Sequence, residues 1–207
     1  MASHKYISIM GTMGSGKTTV ARLLAKELGF ELLEENFGEN AFLPRFYSDM
    51  KRWAFHSQTF FLMEKTHQMF EAADLLRTAS VIQDTPIQQD VFSYAKAQHA
   101  LGNIDDAEWR LYQKIYTSLA SYFPTPNLII YLDTSLAVLK KRIASRGRGY
   151  EQEIPDTYLE LLTKFNAAWI KKNVDISTAV IETDGLDIVK SKVDQERLIA
   201  RVKKYIR

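Results

Sequence analysis

The sequence predicts a three-layer α/β fold, a central parallel sheet of about five strands with helices on both faces. Three observations predict it. Short apolar runs alternate with longer amphipathic stretches along the 207 residues. The segment Gly11-Thr12-Met13-Gly14-Ser15-Gly16-Lys17-Thr18 fits the phosphate-loop pattern of a glycine, four free positions and Gly-Lys-Ser/Thr. That segment lies between a buried-strand run, Tyr6-Ile7-Ser8-Ile9-Met10, and an amphipathic helical run over 19–28 closed by Gly29.

Taken in order, the first strand delivers the loop and the helix leaves it. A second short strand is expected over 30–35, ending in the acids Glu34 and Glu35. A loop containing Gly38, Asn40 and Pro44 follows, then a long helix from about Lys51 to Thr78 with apolar clusters at helical spacing. Ser80 to Gln83 reads as a buried strand that carries Asp84 at its carboxyl end. Helices are expected over 88–100 and 105–122, separated by Gly102-Asn103, with Pro124 and Pro126 stopping the second. A strand over 127–132 is followed by a helix over 136–145 and the irregular run Arg146-Gly147-Arg148-Gly149. A helix over 156–172, a strand over 179–181 and a helix over 193–206 complete the chain.

Composition sets the outer bounds. With 46% hydrophobic and 25% charged residues, the chain suits one compact domain over 1–207. A net charge of +2 is too balanced to imply a nucleic-acid partner. The absence of cysteine excludes disulfides and thiolate metal sites. The longest apolar run, 128–132, is too short to span a bilayer, so no membrane partner is expected. No leader-like stretch precedes the first strand, and cytoplasmic residence is expected.

The chemistry starts from the loop. Gly11, Gly14 and Gly16 let the backbone turn its N–H groups inward, and the loop amides of Met13, Ser15 and Thr19 would join them in a nest for phosphate oxygens at a helix N-terminus. Lys17 would reach the β and γ phosphates of ATP, and Thr18 with Asp84 would hold Mg²⁺. In a parallel sheet ligands gather at the carboxyl ends of the strands, which brings Glu35 and Asp84 to the loop. GTPase signatures, Asp-x-x-Gly and Asn-Lys-x-Asp, are missing. The arginines Arg142, Arg146 and Arg148 sit where a phosphate-loop kinase carries its lid. Arg142 and Arg146 share a helix face and would close over the transferring phosphoryl group.

The middle of the chain, Glu35 to Leu43 and Phe46 to Gln58, resembles the deoxynucleoside kinases, nearest to the bacterial deoxyadenosine/deoxyguanosine branch. The lid, Arg146-Gly147-Arg148-Gly149-Tyr150-Glu151-Gln152-Glu153-Ile154-Pro155, and the stretch Thr183-Asp184-Gly185-Leu186-Asp187, similar to the family's adenine-side loop, extend the resemblance over nearly the whole chain. It implies a phosphate-loop kinase fold, ATP and Mg²⁺ as cofactors, a homodimer and a deoxynucleoside acceptor phosphorylated at its 5′-hydroxyl, a purine or deoxycytidine in preference. It further implies that Glu35 takes the hydroxyl proton, that Tyr47 and Glu151 hold the sugar 3′-hydroxyl, and that Gln58 reads the base edge. Lys65 falls where the family usually has an arginine, with Asp90 as its partner across the base, and Asp187 lies on the adenine side. Gln58, Leu62 and Lys65 share a helix face by their i, i+4, i+7 spacing.

One departure stands out. The family's acid-Arg-Ser after the third strand reads Asp84-Thr85-Pro86 here. A missing donor of that kind can cost about 10²–10³ in rate, and Arg142, Arg146, Arg45 and Arg52 are candidates to replace it. Two other readings share the loop: a thymidylate-type nucleoside monophosphate kinase, and a nucleotide-binding module without kinase activity. The four histidines show no metal-ligand spacing.

Overall fold

A computed structural model describes residues 4–35, 38, 40–149 and 154–206. Its centre is a five-stranded, all-parallel sheet of β1 (Tyr6–Gly11), β2 (Glu31–Leu33), β3 (Val81–Asp84), β4 (Leu128–Asp133) and β5 (Ser177–Glu182), in the order β2-β3-β1-β4-β5. β3 and β4 lie on opposite sides of β1, so the order of the connections reverses there and opens a crevice at the carboxyl ends, where the phosphate loop leaves β1.

Strand pleating sorts the apolar residues to two faces. Ile7, Ile9, Ile82, Ile130, Leu132 and Ile181 pack against Val20 and Leu24 of α1 (Lys17–Leu28) and Leu198 and Val202 of α9 (Lys192–Ile206). On the opposite face Tyr6 and Val81 meet Leu62 and Met69 of α3 (Met50–Leu75), while Met10, Ile129 and Tyr131 meet Trp169 of α8 (Asp156–Lys172). Side chains on both faces of the central strands β1 and β4 are buried, which is why these two read as near-continuous apolar runs. The edge strands β2 and β5 are partly exposed.

Two local features differ from the sequence expectation. The stretch after Asn40 is helical: α2 (Leu43–Ser48) carries Pro44 in its first turn, where a missing N–H costs nothing, and only Asp49 separates it from α3. Asp49 caps α3 by accepting from the Arg52 N–H at 3.1 Å. The expected regular helix over 88–100 is instead α4 (Ile87–Gln89), a π segment (Asp90–Ala95) and α5 (Lys96–Ala100). A wider turn of this kind leaves no trace in apolar spacing over so few residues. The expected 105–122 helix is α6 (Asp106–Leu119) with a 3₁₀ turn (Ala120–Tyr122), opened by a capping box between Asp105 and Glu108. α7 (Leu136–Arg146) ends at Gly147, which takes the left-handed conformation that stops a helix. Among the described residues no helix is long and apolar enough to cross a membrane.

Candidate active site

The phosphate loop is a tight backbone cradle. Gly14 (φ 85°) and Gly16 (φ 98°) adopt left-handed conformations, and Gly16 caps α1. A Cβ on Gly14 would lie 2.9 Å from Ile143 Cγ1 and 3.0 Å from the Leu139 carbonyl oxygen, so α7 can press against the loop only because that position has no side chain. Gln89 ties the start of the loop to α4: its amide donates to the Gly11 carbonyl at 2.6 Å and accepts from the Gly11 N–H at 3.1 Å. The Lys17 ammonium donates to the Gly11 carbonyl at 2.9 Å and to the Tyr94 hydroxyl at 3.4 Å. Burial lowers its pKa from the usual lysine value, with Asp84 and Glu35 opposing that effect.

Beside the loop, the Thr18 hydroxyl donates to Asp84 Oδ2 at 2.6 Å. A threonine hydroxyl and a carboxylate in contact are hard oxygen donors, the set that suits a magnesium ion arriving with most of its ligands on phosphate and water. These two residues therefore fit the ion that the sequence pattern implies.

The two adjacent acids at the end of β2 part company. Glu34, on the cavity rim, forms an ion pair with Arg22, their side chains 35% and 64% exposed. Hydrogen bonding from Arg22 lowers the Glu34 pKa. Glu35 turns inward, 9% exposed, and its Oε1 lies 3.4 Å from the ammonium of Lys65, which is 1% exposed. Burial raises the Glu35 pKa and Lys65 opposes the shift. The backbone between them is pinned by Gln68, whose amide donates to the Glu34 carbonyl at 2.5 Å.

A cavity of about 1380 Å³ joins these groups. The loop, Glu35, Tyr47, Gln58, Asp90, Tyr94, Arg142, Arg146 and Asp187 all line it. Gln58 and Lys65 share the buried face of α3 with Leu62, as their spacing predicts. Among the described residues Gln58 Oε1 and Asp90 Oδ2 are buried without a hydrogen-bond partner, although each lies in a side chain that lines the cavity. Burial raises the Asp90 pKa well above the ordinary carboxylate value, and the charge of Glu35 adds to the shift. An unpaired buried polar atom costs free energy, so a ligand that supplies donors to these two positions on the cavity wall would gain by completing them. Tyr47 donates to the Met13 sulfur at 3.7 Å, linking the sugar-side candidate to the loop.

Several expected roles take a different form. Arg142 is engaged by the protein itself: Nη1 donates to the Ser15 carbonyl and the Thr183 hydroxyl, both at 3.0 Å, and Nη2 to the carbonyls of Thr183 (2.8 Å) and Leu186 (3.3 Å). It clamps the phosphate loop to the 183–186 loop while lining the cavity. Lys65 points to Glu35 and to the Asp84 carbonyl (2.9 Å). The Asp187 carboxylate accepts from the backbone N–H groups of Val189 (3.2 Å) and Lys190 (3.0 Å), which shapes its own turn on the cavity wall. Arg146 lines the cavity close enough for its charge to lower the Lys17 pKa, and Arg148 lines it too. The expectation for Glu151 falls outside the described residues.

Tyr94 and Gln89 went unnoticed in the sequence. Both belong to the irregular α4–π–α5 run, where helical periodicity gives no guide to facing. Their one available signal is adjacency to Asp90.

The deoxynucleoside kinase family profile matches residues 7–207, nearly the whole chain and every group just described. The chain belongs to the deoxynucleoside kinase family. A deoxyguanosine kinase of Bacillus subtilis is 32% identical over 210 residues, covering all of both chains. A deoxyadenosine/deoxycytidine kinase of the same organism is 29% identical, covering 97% of this chain and 92% of its own. The structure of the M. mycoides deoxyadenosine kinase with dCMP and a flexible dCDP superposes with a TM-score of 0.83 at 28% identity, over 96% of this chain and 99% of the other. Structures of that enzyme with dCTP and with dATP give TM-scores of 0.81 and 0.80. As a deoxynucleoside kinase the chain is a phosphotransferase, and the five-stranded parallel sheet is the shared phosphate-loop kinase fold.

Proposed function

We propose that this kinase transfers the γ-phosphoryl group of Mg·ATP to the 5′-hydroxyl of a deoxynucleoside bearing an exocyclic amine: a purine deoxynucleoside or deoxycytidine. One observation carries the reading. The inward-turned Glu35 and the unpaired Gln58 Oε1 and Asp90 Oδ2 line the same cavity as the phosphate loop. Adenine, guanine and cytosine each present amino hydrogens that two such acceptors can take, whereas thymine presents only its ring N–H.

The loop amides and Lys17 hold the phosphates, and Thr18 with Asp84 hold the metal. Magnesium, when bound, neutralises charge on the phosphates. Glu35 accepts the 5′-hydroxyl proton as the oxygen attacks the γ-phosphorus and the bond to ADP breaks. Burial raises its pKa, which makes it a stronger proton acceptor than an exposed glutamate, and Lys65 opposes the shift. Arg146 supplies positive charge at the cradle mouth.

A panel of deoxynucleosides against deoxynucleoside monophosphates, with ATP as donor, tests the reading. Transfer to nucleosides is expected. Transfer confined to monophosphates would establish the thymidylate-type alternative, and ATP binding without transfer to any acceptor would leave a binding module. A second copy of the chain is the proposed cover for the exposed Met63 and Phe70 of α3 and Leu111 of α6. A dimer by sedimentation that dissociates on Met63→Glu/Leu111→Glu supports it, and a wild-type monomer removes it.

A further inference from the structure

Lys65 is a fully buried cation, and buried cations persist only where their charge is answered. Its ammonium reaches Glu35 Oε1 at 3.4 Å, the Asp84 carbonyl at 2.9 Å and Gln68 Oε1 at 3.4 Å. One side chain from α3 thus joins the ends of β2 and β3, the strands that carry the proton acceptor and the metal-side carboxylate. Thr85 brings no charge to this place. It is wholly buried at a left-handed φ of 62°, uncommon for a β-branched residue, and its hydroxyl donates to Asp84 Oδ1 at 3.3 Å. With Thr18 on Oδ2, the Asp84 carboxylate is held by two hydroxyls, and the buried positive charge beside Glu35 comes from α3.

We infer that Lys65 is a positioning residue for phosphoryl transfer: it holds the Glu35 carboxylate against the end of β3 and supplies there the positive charge that Asp84-Thr85-Pro86 does not. This rests on the kinase reading above. It places Lys65 behind Glu35, which lines the cavity, and leaves recognition of the base to Gln58 and Asp90. Without the ammonium, the buried Glu35 carboxylate loses its ion-pair partner and its oxygens are left undirected. The acceptor hydroxyl then meets a misplaced proton acceptor, while the Gln58 and Asp90 side chains that line the cavity are themselves kept.

The test is a double-mutant cycle on the full chain with Lys65→Met, Glu35→Gln and the double variant. Turnover of deoxyadenosine, deoxyguanosine and deoxycytidine is measured at saturating ATP. Lys65→Met is expected to lower kcat by about 10²-fold, the scale of a lost charged donor near a reacting centre. Its nucleoside KM should stay within about threefold, and the double variant should be no more than about threefold slower than Glu35→Gln. Lys65→Arg, which keeps the charge, should regain much of the lost kcat and leave base preference unchanged. If Lys65→Met yields no cooperatively folded protein, Lys65→Arg decides alone: a base-dependent rise in KM with kcat intact overturns the inference. Multiplying losses in the cycle, or a tenfold KM change with kcat unchanged, likewise overturn it. Each of these results leaves the kinase reading standing, whereas a wild-type enzyme that phosphorylates no deoxynucleoside removes both.

Discussion

Neutralising each of the two neighbouring acids at the end of β2 gives the sharpest test of the site, because the fold gives them different partners and different burial. Glu35→Gln keeps shape and removes the proton acceptor. General-base catalysis is worth about 10²–10⁴ in rate, so kcat should fall into that range. The substitution also leaves the Lys65 ammonium, 1% exposed, facing a neutral amide. Removing one partner of a buried ion pair costs about 3–5 kcal/mol, here reduced because the Asp84 carbonyl and Gln68 still accept from Lys65. For a chain of this size each 1 kcal/mol corresponds to about 2–4 °C in Tm, so a visible drop in Tm should accompany the loss of turnover. Glu34→Gln breaks an exposed pair with Arg22, worth about 1 kcal/mol at most, and kcat should stay within about threefold. The assay is the initial rate of deoxynucleoside monophosphate formation at saturating substrates, with a thermal melt of each variant. A Glu35→Gln enzyme with kcat within threefold of wild type, or an equal loss from Glu34→Gln, would refute the assignment.

Lys17→Ala should abolish turnover while leaving the fold intact, since Gln89 independently fixes the loop through Gly11; near-normal rates would take the loop out of the mechanism. Asp90→Asn should raise the stability of the ligand-free protein by about 1–3 kcal/mol at pH 8, the scale of an unsatisfied buried group, while weakening nucleoside binding. The sign follows from linkage: the Asp90 pKa is raised in the fold, so its contribution to stability is present in acid and lost as pH rises through the folded value. Calorimetry should therefore show the difference shrinking as pH is lowered, and a variant less stable than wild type at pH 8 would contradict it. Because burial raises the Glu35 pKa, the acid limb of kcat should lie above the ordinary glutamate range, with the rate falling as pH drops through it; a limb at the ordinary value would show that another group is being titrated. Gly14→Val should cost most of the phosphate affinity, because its side chain would meet Ile143 and the Leu139 carbonyl from a left-handed backbone; unchanged ATP binding in titration calorimetry would disprove the tight cradle.

By itself the sequence determined what local chemistry determines. Alternating strand and helix periods specified a parallel α/β sheet, because strands buried on both faces must be apolar throughout. The glycines and Lys17-Thr18 specified a phosphate cradle, because few other sequences let consecutive N–H groups converge. The i, i+4, i+7 spacing put Gln58 and Lys65 on one face of α3. What lay beyond reach was every outcome decided by competition among distant groups. Counting separates Glu34 from Glu35 only weakly, and the partners Arg22 and Lys65, supplied by α1 and α3, hold one acid partly exposed at the cavity rim and bury the other. Arg142 reads as a lid arginine in the sequence, yet carbonyls from two loops, separated from it by 127 residues at Ser15 and 41 at Thr183, take up its fork. The π segment hid Tyr94 and Gln89, since a widened turn changes facing without changing composition. A side chain's reach is local, but the choice among partners within that reach belongs to the whole fold, where each buried charge settles against whichever opposite charge or dipole the packing brings nearest.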